Sequence, residues 1–105
     1  MVVIVRACRS EVRELPKNVR EDLADLLARL DEGHKLSMPV SRPMPSIGPR
    51  VHELRLRSRS GAYRVVYALV RAGSVHVLHA FKKTSQATPK RELQLARSRL
   101  REVMK

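Results

Sequence analysis

The sequence predicts an α+β domain in which N-terminal helices pack on a twisted, mainly antiparallel four-stranded sheet, with a further helix at the C-terminal end. Three observations carry this. Apolar residues from Val19 to Leu30 recur at helical spacing, β-rich stretches divided by short turns occupy 51–81, and a second amphipathic run follows Thr88-Pro89. The 105 residues make one domain, 1–105, with room for one sheet and two or three helices around a single core.

Taken in order, Val2, Val3, Ile4 and Val5 are β-branched and suit a first strand, and Arg6 to Ser10 lead out of it. A short helical turn fits Ser10 to Leu15 before Pro16 interrupts. Val19, Leu23, Leu26, Leu27 and Leu30 then form one apolar stripe opposite Arg20, Glu21, Asp25 and Arg29, and Gly33 stands where that helix should end. From Gly33 to Pro49 the chain carries Pro39, Pro43, Pro45, Gly48 and Pro49, which excludes helix and a central strand and predicts a long loop. His34, Lys35 and Arg42 in that loop suit a phosphate contact, although a plain connector explains the segment equally well.

Val51 to Arg57 alternates, with Leu54 and Leu56 on one face and Glu53, Arg55 and Arg57 on the other. A turn spans Ser58 to Gly61. Tyr63 to Val70 and Val75 to Phe81 join through Ala72-Gly73-Ser74 and complete an antiparallel meander. The strand from Tyr63 is apolar on both faces except for Arg64, and the next is similar apart from His76 and His79, so both should be central and covered. Beyond the polar 84–87, Thr88 is placed as an N-cap and Pro89 as the first helical residue. Leu93, Ala96, Leu100, Val103 and Met104 make the stripe of this helix. Lys90, Arg91, Arg97, Arg99, Arg101 and Lys105 leave the rest of it basic, and Glu92 sits near the positive end of the dipole.

Charge narrows the function. Lys plus Arg number 22 against 10 Asp plus Glu, a net charge of +12 and a pI near 11.3, so the surface attracts polyanions. Nucleic acid and an acidic protein partner both satisfy that attraction. A membrane is not expected, because there is no apolar run of spanning length and the start Met1 to Val5 is broken at Arg6, which gives a cytoplasmic expectation. Cys8 is the only cysteine, so neither an internal disulfide nor a paired redox motif is possible, and a small buried residue near a strand end is its simplest reading.

No metal or cofactor is expected. His76 and His79 are three apart on a strand and should face opposite ways, His34 and His52 have no ligand-like spacing, and no phosphate-cradling glycine loop or nucleophile elbow occurs. What remains is basic: Arg55 and Arg57 on one strand, Arg64 on the next, Lys82 and Lys83 at the end of the last. Clustered cations lower a lysine pKa, making a better proton acceptor, and stabilise a phosphate placed among them. Those are the needs of RNA cleavage at its own 2′-hydroxyl: a base, cations for the growing charge, and an acid for the leaving oxygen. Solvated edge charge is the bland alternative, but for Arg64 in its apolar strand a functional or partner-facing role is the better reading.

His52-Glu53-Leu54-Arg55, Gly61-Ala62-Tyr63-Arg64-Val65-Val66-Tyr67, Val77-Leu78-His79-Ala80-Phe81-Lys82-Lys83 and Thr88-Pro89-Lys90-Arg91-Glu92 with Ala96 resemble, in that order, the signature of the phage-derived branch of the HigB toxins, within the RelE/ParE superfamily. The resemblance covers about half the chain; before Val51 it is one of pattern only. It implies a RelE-like fold with a concave basic groove. It also implies a toxin of a type II toxin-antitoxin system, an mRNA interferase that enters the ribosomal A site, cuts the message and is neutralised by a cognate antitoxin, often a helix-turn-helix protein. Carried over, Arg55, Arg64, Lys82 and Lys83 match positions that contact or cleave RNA, and Arg57, Lys90 and Arg91 add RNA-binding charge. Family members commonly use Tyr, His or Asp near the C-terminus for catalysis, and the final helix here has none, which leaves His79, Lys82 and Lys83 as candidate bases. Two other functions fit the same residues: a ParE-like gyrase poison, because the superfamily shares its fold, and a non-catalytic nucleic-acid-binding module, for which charge alone suffices.

Overall fold

The β-branched opening and the meander come together in one five-stranded sheet of order β1-β5-β4-β3-β2, seen in a computed structural model that describes residues 1–71 and 73–105. Ala72, read from the sequence as part of the last hairpin turn, lies outside the described residues. The strands are β1 (Val2–Ile4), β2 (Ser41–Pro43), β3 (Val51–Ser58), β4 (Gly61–Arg71) and β5 (Ser74–Lys83). β1 pairs parallel to β5 and the other neighbours are antiparallel. As expected, β4 and β5 are flanked on both sides.

The sequence predicts four strands, and the fifth, β2, lies inside the proline-rich segment read as loop. Proline-rich composition excludes a central strand but not an edge one, where a missing N–H costs nothing. β2 is such an edge, three residues paired with β3, and buried Ser41 secures it through a 2.8 Å hydrogen bond between Ser41 Oγ and Tyr67 Oη.

Three helices complete the domain: α1 (Arg9–Arg13), which continues from a 3-10 turn over Arg6–Cys8, α2 (Lys17–Asp31) and α3 (Lys90–Val103). The predicted stripe of α2 is the buried one: Val19, Leu23, Leu27 and Leu30 are buried and Leu26 packs against them. α2 ends as the sequence suggests. Gly33 takes φ 92°, and the N–H groups of Gly33 and His34 donate to the carbonyls of Leu30 and Arg29, each at 3.0 Å. α3 starts one residue later than predicted. Pro89 is its N-cap and Lys90 its first residue, while Thr88 spends its hydroxyl on the sheet instead of on the helix N-terminus.

Alternation along the strands sorts side chains into two cores. Leu54, Leu56, Tyr63, Val65, Tyr67, Val75, Val77 and Ala80 join Cys8, Leu15 and the α2 stripe on one face. Val51, Val66, Ala68, Leu78 and Phe81 join Ala96, Met44 and Ile47 beneath α3 on the other. β5 changes phase on the way, because a bulge opposite Val66 and Tyr67 inserts one residue. The expectation that His76 and His79 face opposite ways rests on an unbroken period of two. The bulge removes that basis: Val75, Val77 and Ala80 share one face, and His79 stacks on Phe81 of the other, ring centroids 5.1 Å apart.

Candidate functional site

α3 covers only one end of its face of the sheet, and the strand register decides what the other end displays. Arg55 on β3 is opposite Arg64 on β4, which is opposite Phe81 on β5. One step towards the hairpin tip, Arg57 is opposite Ala62 and Ala62 opposite Lys83. One step the other way, Arg42 on β2 is opposite Glu53, and the row continues through Val66 to His79. Arg42, Arg55, Arg57, Arg64 and Lys83 therefore gather on one face around the carboxylate of Glu53. Arg42, Arg55 and Arg57 are exposed, Lys83 is half-buried, and Arg64 is 6% exposed.

Arg64 is the pivot. Its Nη1 donates to the Tyr63 carbonyl at 3.1 Å, and its Nε lies 3.5 Å from Glu53 Oε1. Burial lowers its pKa, the Glu53 charge raises it, and Arg55, Arg57 and Arg42 lower it again, with a net fall below the usual arginine value. Arginine stays charged nonetheless, so the site holds a fixed, partly desolvated cation whose neighbours repel it. A phosphate relieves that repulsion. Lys83 feels the same field. Burial first, then Arg64, Arg55 and Arg42, against an opposing Glu53, hold its ammonium below the usual 10.5. A lysine shifted in this direction gives up its proton more readily than a free one.

The two lysines singled out from the sequence lie on opposite sides of β5. Lys82 is exposed and opposite Tyr63, on the side of the α1 and α2 core, whereas Lys83 is opposite Ala62 on the basic side. Lys90 and Arg91 are exposed in the first turn of α3. They stand at the margin of the basic face, because Thr88 just before them donates to Glu53 Oε2 at 3.1 Å.

His79 is in a different situation from the exposed cations. It is 2% exposed, with Nδ1 3.0 Å from Glu11 Oε1 and Nε2 2.6 Å from Glu92 Oε1. Both ring nitrogens are thus engaged by carboxylates, and Arg99 Nη1 also lies 3.0 Å from Nδ1. Arg99 closes the cluster with two hydrogen bonds to Glu11, at 2.7 and 2.9 Å, and one to the Leu78 carbonyl at 3.0 Å. The cluster joins α1, β5 and α3 at the strand edge that β1 is too short to cover. Beside it, burial pushes the Cys8 thiol up to about 12, as suits an inert buried residue.

Among the described residues, no group of three or more His, Cys, Asp and Glu is arranged to hold a metal ion, and no helix is long and apolar enough to cross a membrane. Sequence reasoning missed one member of the site. Glu53 shares the alternating stripe of Arg55 and Arg57, and a lone carboxylate in that stripe was the available signal. Arg42, read from the sequence as suited to a phosphate contact in a loop, joins the site through the β2 pairing, which nothing in a proline-rich segment announces.

The three helices and five-stranded mixed sheet make a RelE-like α+β fold. The isolated Escherichia coli RelE toxin matches with a TM-score of 0.57 at 26% identity, over 82% of this chain and 87% of that one. A free-state E. coli RelE variant with two arginines replaced by alanine matches with a TM-score of 0.66 at 19% identity, over 98% and 96%. The toxin-antitoxin complex RelBE of E. coli matches with a TM-score of 0.58 at 24% identity, over 81% and 98%. No curated protein sequence matches the chain. The protein belongs to the family described as Phage derived protein Gp49-like (DUF891), which matches residues 10–101.

Proposed function

We propose that this protein is a HigB-type toxin of a type II toxin-antitoxin system, an endoribonuclease that cuts mRNA on the ribosome in the cytoplasm. The observation that carries the proposal is the convergence of Arg42, Arg55, Arg57, Arg64 and Lys83 on one open sheet face. Likeness to the E. coli toxin RelE supports toxin activity, and likeness to RelBE supports an antitoxin partner, for which a helix-turn-helix protein is the expected type.

In the proposed reaction the RNA 2′-hydroxyl attacks its own phosphate. The 2′-oxygen to phosphorus bond forms, the bond to the 5′-oxygen breaks, and the products are a 2′,3′-cyclic phosphate and a 5′-hydroxyl. Neutral Lys83 takes the 2′-proton, Arg64 and Arg55 hold the phosphate oxygens as charge grows on them, and solvent protonates the leaving oxygen. Arg57, Lys90 and Arg91 guide the flanking backbone. The two other candidate bases are less well placed: His79 is buried with both nitrogens engaged, and Lys82 stands on the far side.

Primer extension on a defined message, with purified protein and with or without programmed ribosomes, tests the proposal. Cuts that require ribosomes and disappear in Arg64→Ala are expected. No cuts under any condition would contradict the endonuclease and favour gyrase poisoning or plain nucleic-acid binding. The pH dependence is a second check: cleavage should rise with pH through a lysine pKa below 10.5, and Lys83→Met should lose that limb.

A further inference from the structure

Among the described residues, Glu53 is the one buried carboxylate on the basic face, and its surroundings satisfy it poorly. It is 0% exposed, and its Oε2 accepts one hydrogen bond, from Thr88. Its Oε1 and the Nε of Arg64, 3.5 Å apart, are both buried without a hydrogen-bond partner. A buried charge held this loosely is a poor device for stability, since an apolar side chain of similar size commonly serves as well or better. Its placement explains it better. Nη1 of Arg64 is held by the Tyr63 carbonyl and Nε faces Glu53, so two edges of the guanidinium are committed and the third is left for a ligand. The carboxylate is also the only negative charge among the groups that set the fields at Arg64 and Lys83.

We infer that Glu53 is a positioning residue, a buried carboxylate that orients Arg64 and weakens the pull of the basic face on RNA, so that the site binds its substrate less tightly and cleaves it faster than it would without that charge. Full burial keeps Glu53 from touching RNA; it acts through Arg64. The inference rests on the endoribonuclease reading for its cleavage half only, because its binding half concerns any polyanion.

The test uses the full chain with Glu53→Gln, measuring binding to a fluorescent, 2′-O-methylated single-stranded RNA and single-turnover cleavage on programmed ribosomes. Removing a buried negative charge under five cations should tighten RNA binding by about threefold, while loss of Arg64 alignment should slow cleavage by about tenfold. A structural role would weaken both together and lower the melting temperature, and that result, or no change in either quantity, overturns the inference. If Glu53→Gln does not fold, Glu53→Leu replaces it, and failure of both to fold makes the carboxylate structural and overturns the inference too. Wild type that binds RNA but never cuts counts against the endoribonuclease, whereas wild type that cuts beside an unaltered Glu53→Gln counts against Glu53.

Discussion

The two faces of this sheet are built from the same alternating strands and have opposite characters. On the face towards α1 and α2 the apolar positions run the length of the strands, from Leu54 and Leu56 to Val75 and Val77, and the helices close over them. On the face towards α3, Val51, Ala68 and Leu78 are covered at one end, while Arg55, Arg57 and Lys83 occupy the other. Helix coverage stops where charge begins. One face can therefore carry the stability of the domain while the other tolerates mutual repulsion among cations, a cost that a bound polyanion removes.

Substitutions on the two faces should separate stability from activity. The largest effect belongs to Arg64→Ala: cleavage should fall by about 100-fold or more, as for loss of a transition-state cation. The folded state should also lose about 3 kcal/mol, because Glu53 is left buried without its cation. Single-turnover cleavage and urea unfolding check the two parts. Next comes Leu54→Ala on the covered face, where Leu54 is 0% exposed. It should cost about 2–5 kcal/mol in urea unfolding and leave cleavage per folded molecule unchanged; a parallel loss of specific activity would break the division of labour.

Smaller effects sharpen the same contrast. Arg57→Ala should weaken RNA binding across sequences alike and lower the slope of log affinity against log salt by about 1, read from titrations at several salt concentrations. At the edge joining the two faces, burial pushes the Glu11 carboxyl up, but hydrogen bonds from Arg99 and the Ala80 N–H, with the charges of His79 and Arg99, outweigh it and hold its pKa below 4.5. Stability from Glu11 is then present above pH 4.5 and lost as pH falls through the lower folded value. Melting temperatures across that window should drop less steeply for Glu11→Gln than for wild type.

How much of this was legible in the sequence differs between the faces for a physical reason. The covered face follows from periodicity: the α2 stripe, the Gly33 stop and the Leu54 and Leu56 alternation are local signals, and the fold agrees with each. Arg55 and Arg57 were legible for the same reason, as charges in a period-two pattern, and Arg64 as the one charge in a strand apolar on both faces. Three features depended on contacts distant in sequence. Arg42 needed the pairing of β2, the splitting of Lys82 from Lys83 needed the register against Ala62 and Tyr63, and the engagement of His79 needed Glu11 and Glu92 to arrive from two helices. The bulge in β5 is equally silent, since no Gly or Pro marks it.

Lys82 and Lys83 supply the most direct test of the claim that the open face is the site, because they are neighbours of identical chemistry on opposite sides of one strand. Single-turnover cleavage on programmed ribosomes should be compared for Lys82→Met and Lys83→Met. Lys83→Met should lose about 100-fold in rate while Lys82→Met stays close to wild type. Equal losses, or a larger loss for Lys82→Met, would contradict the claim.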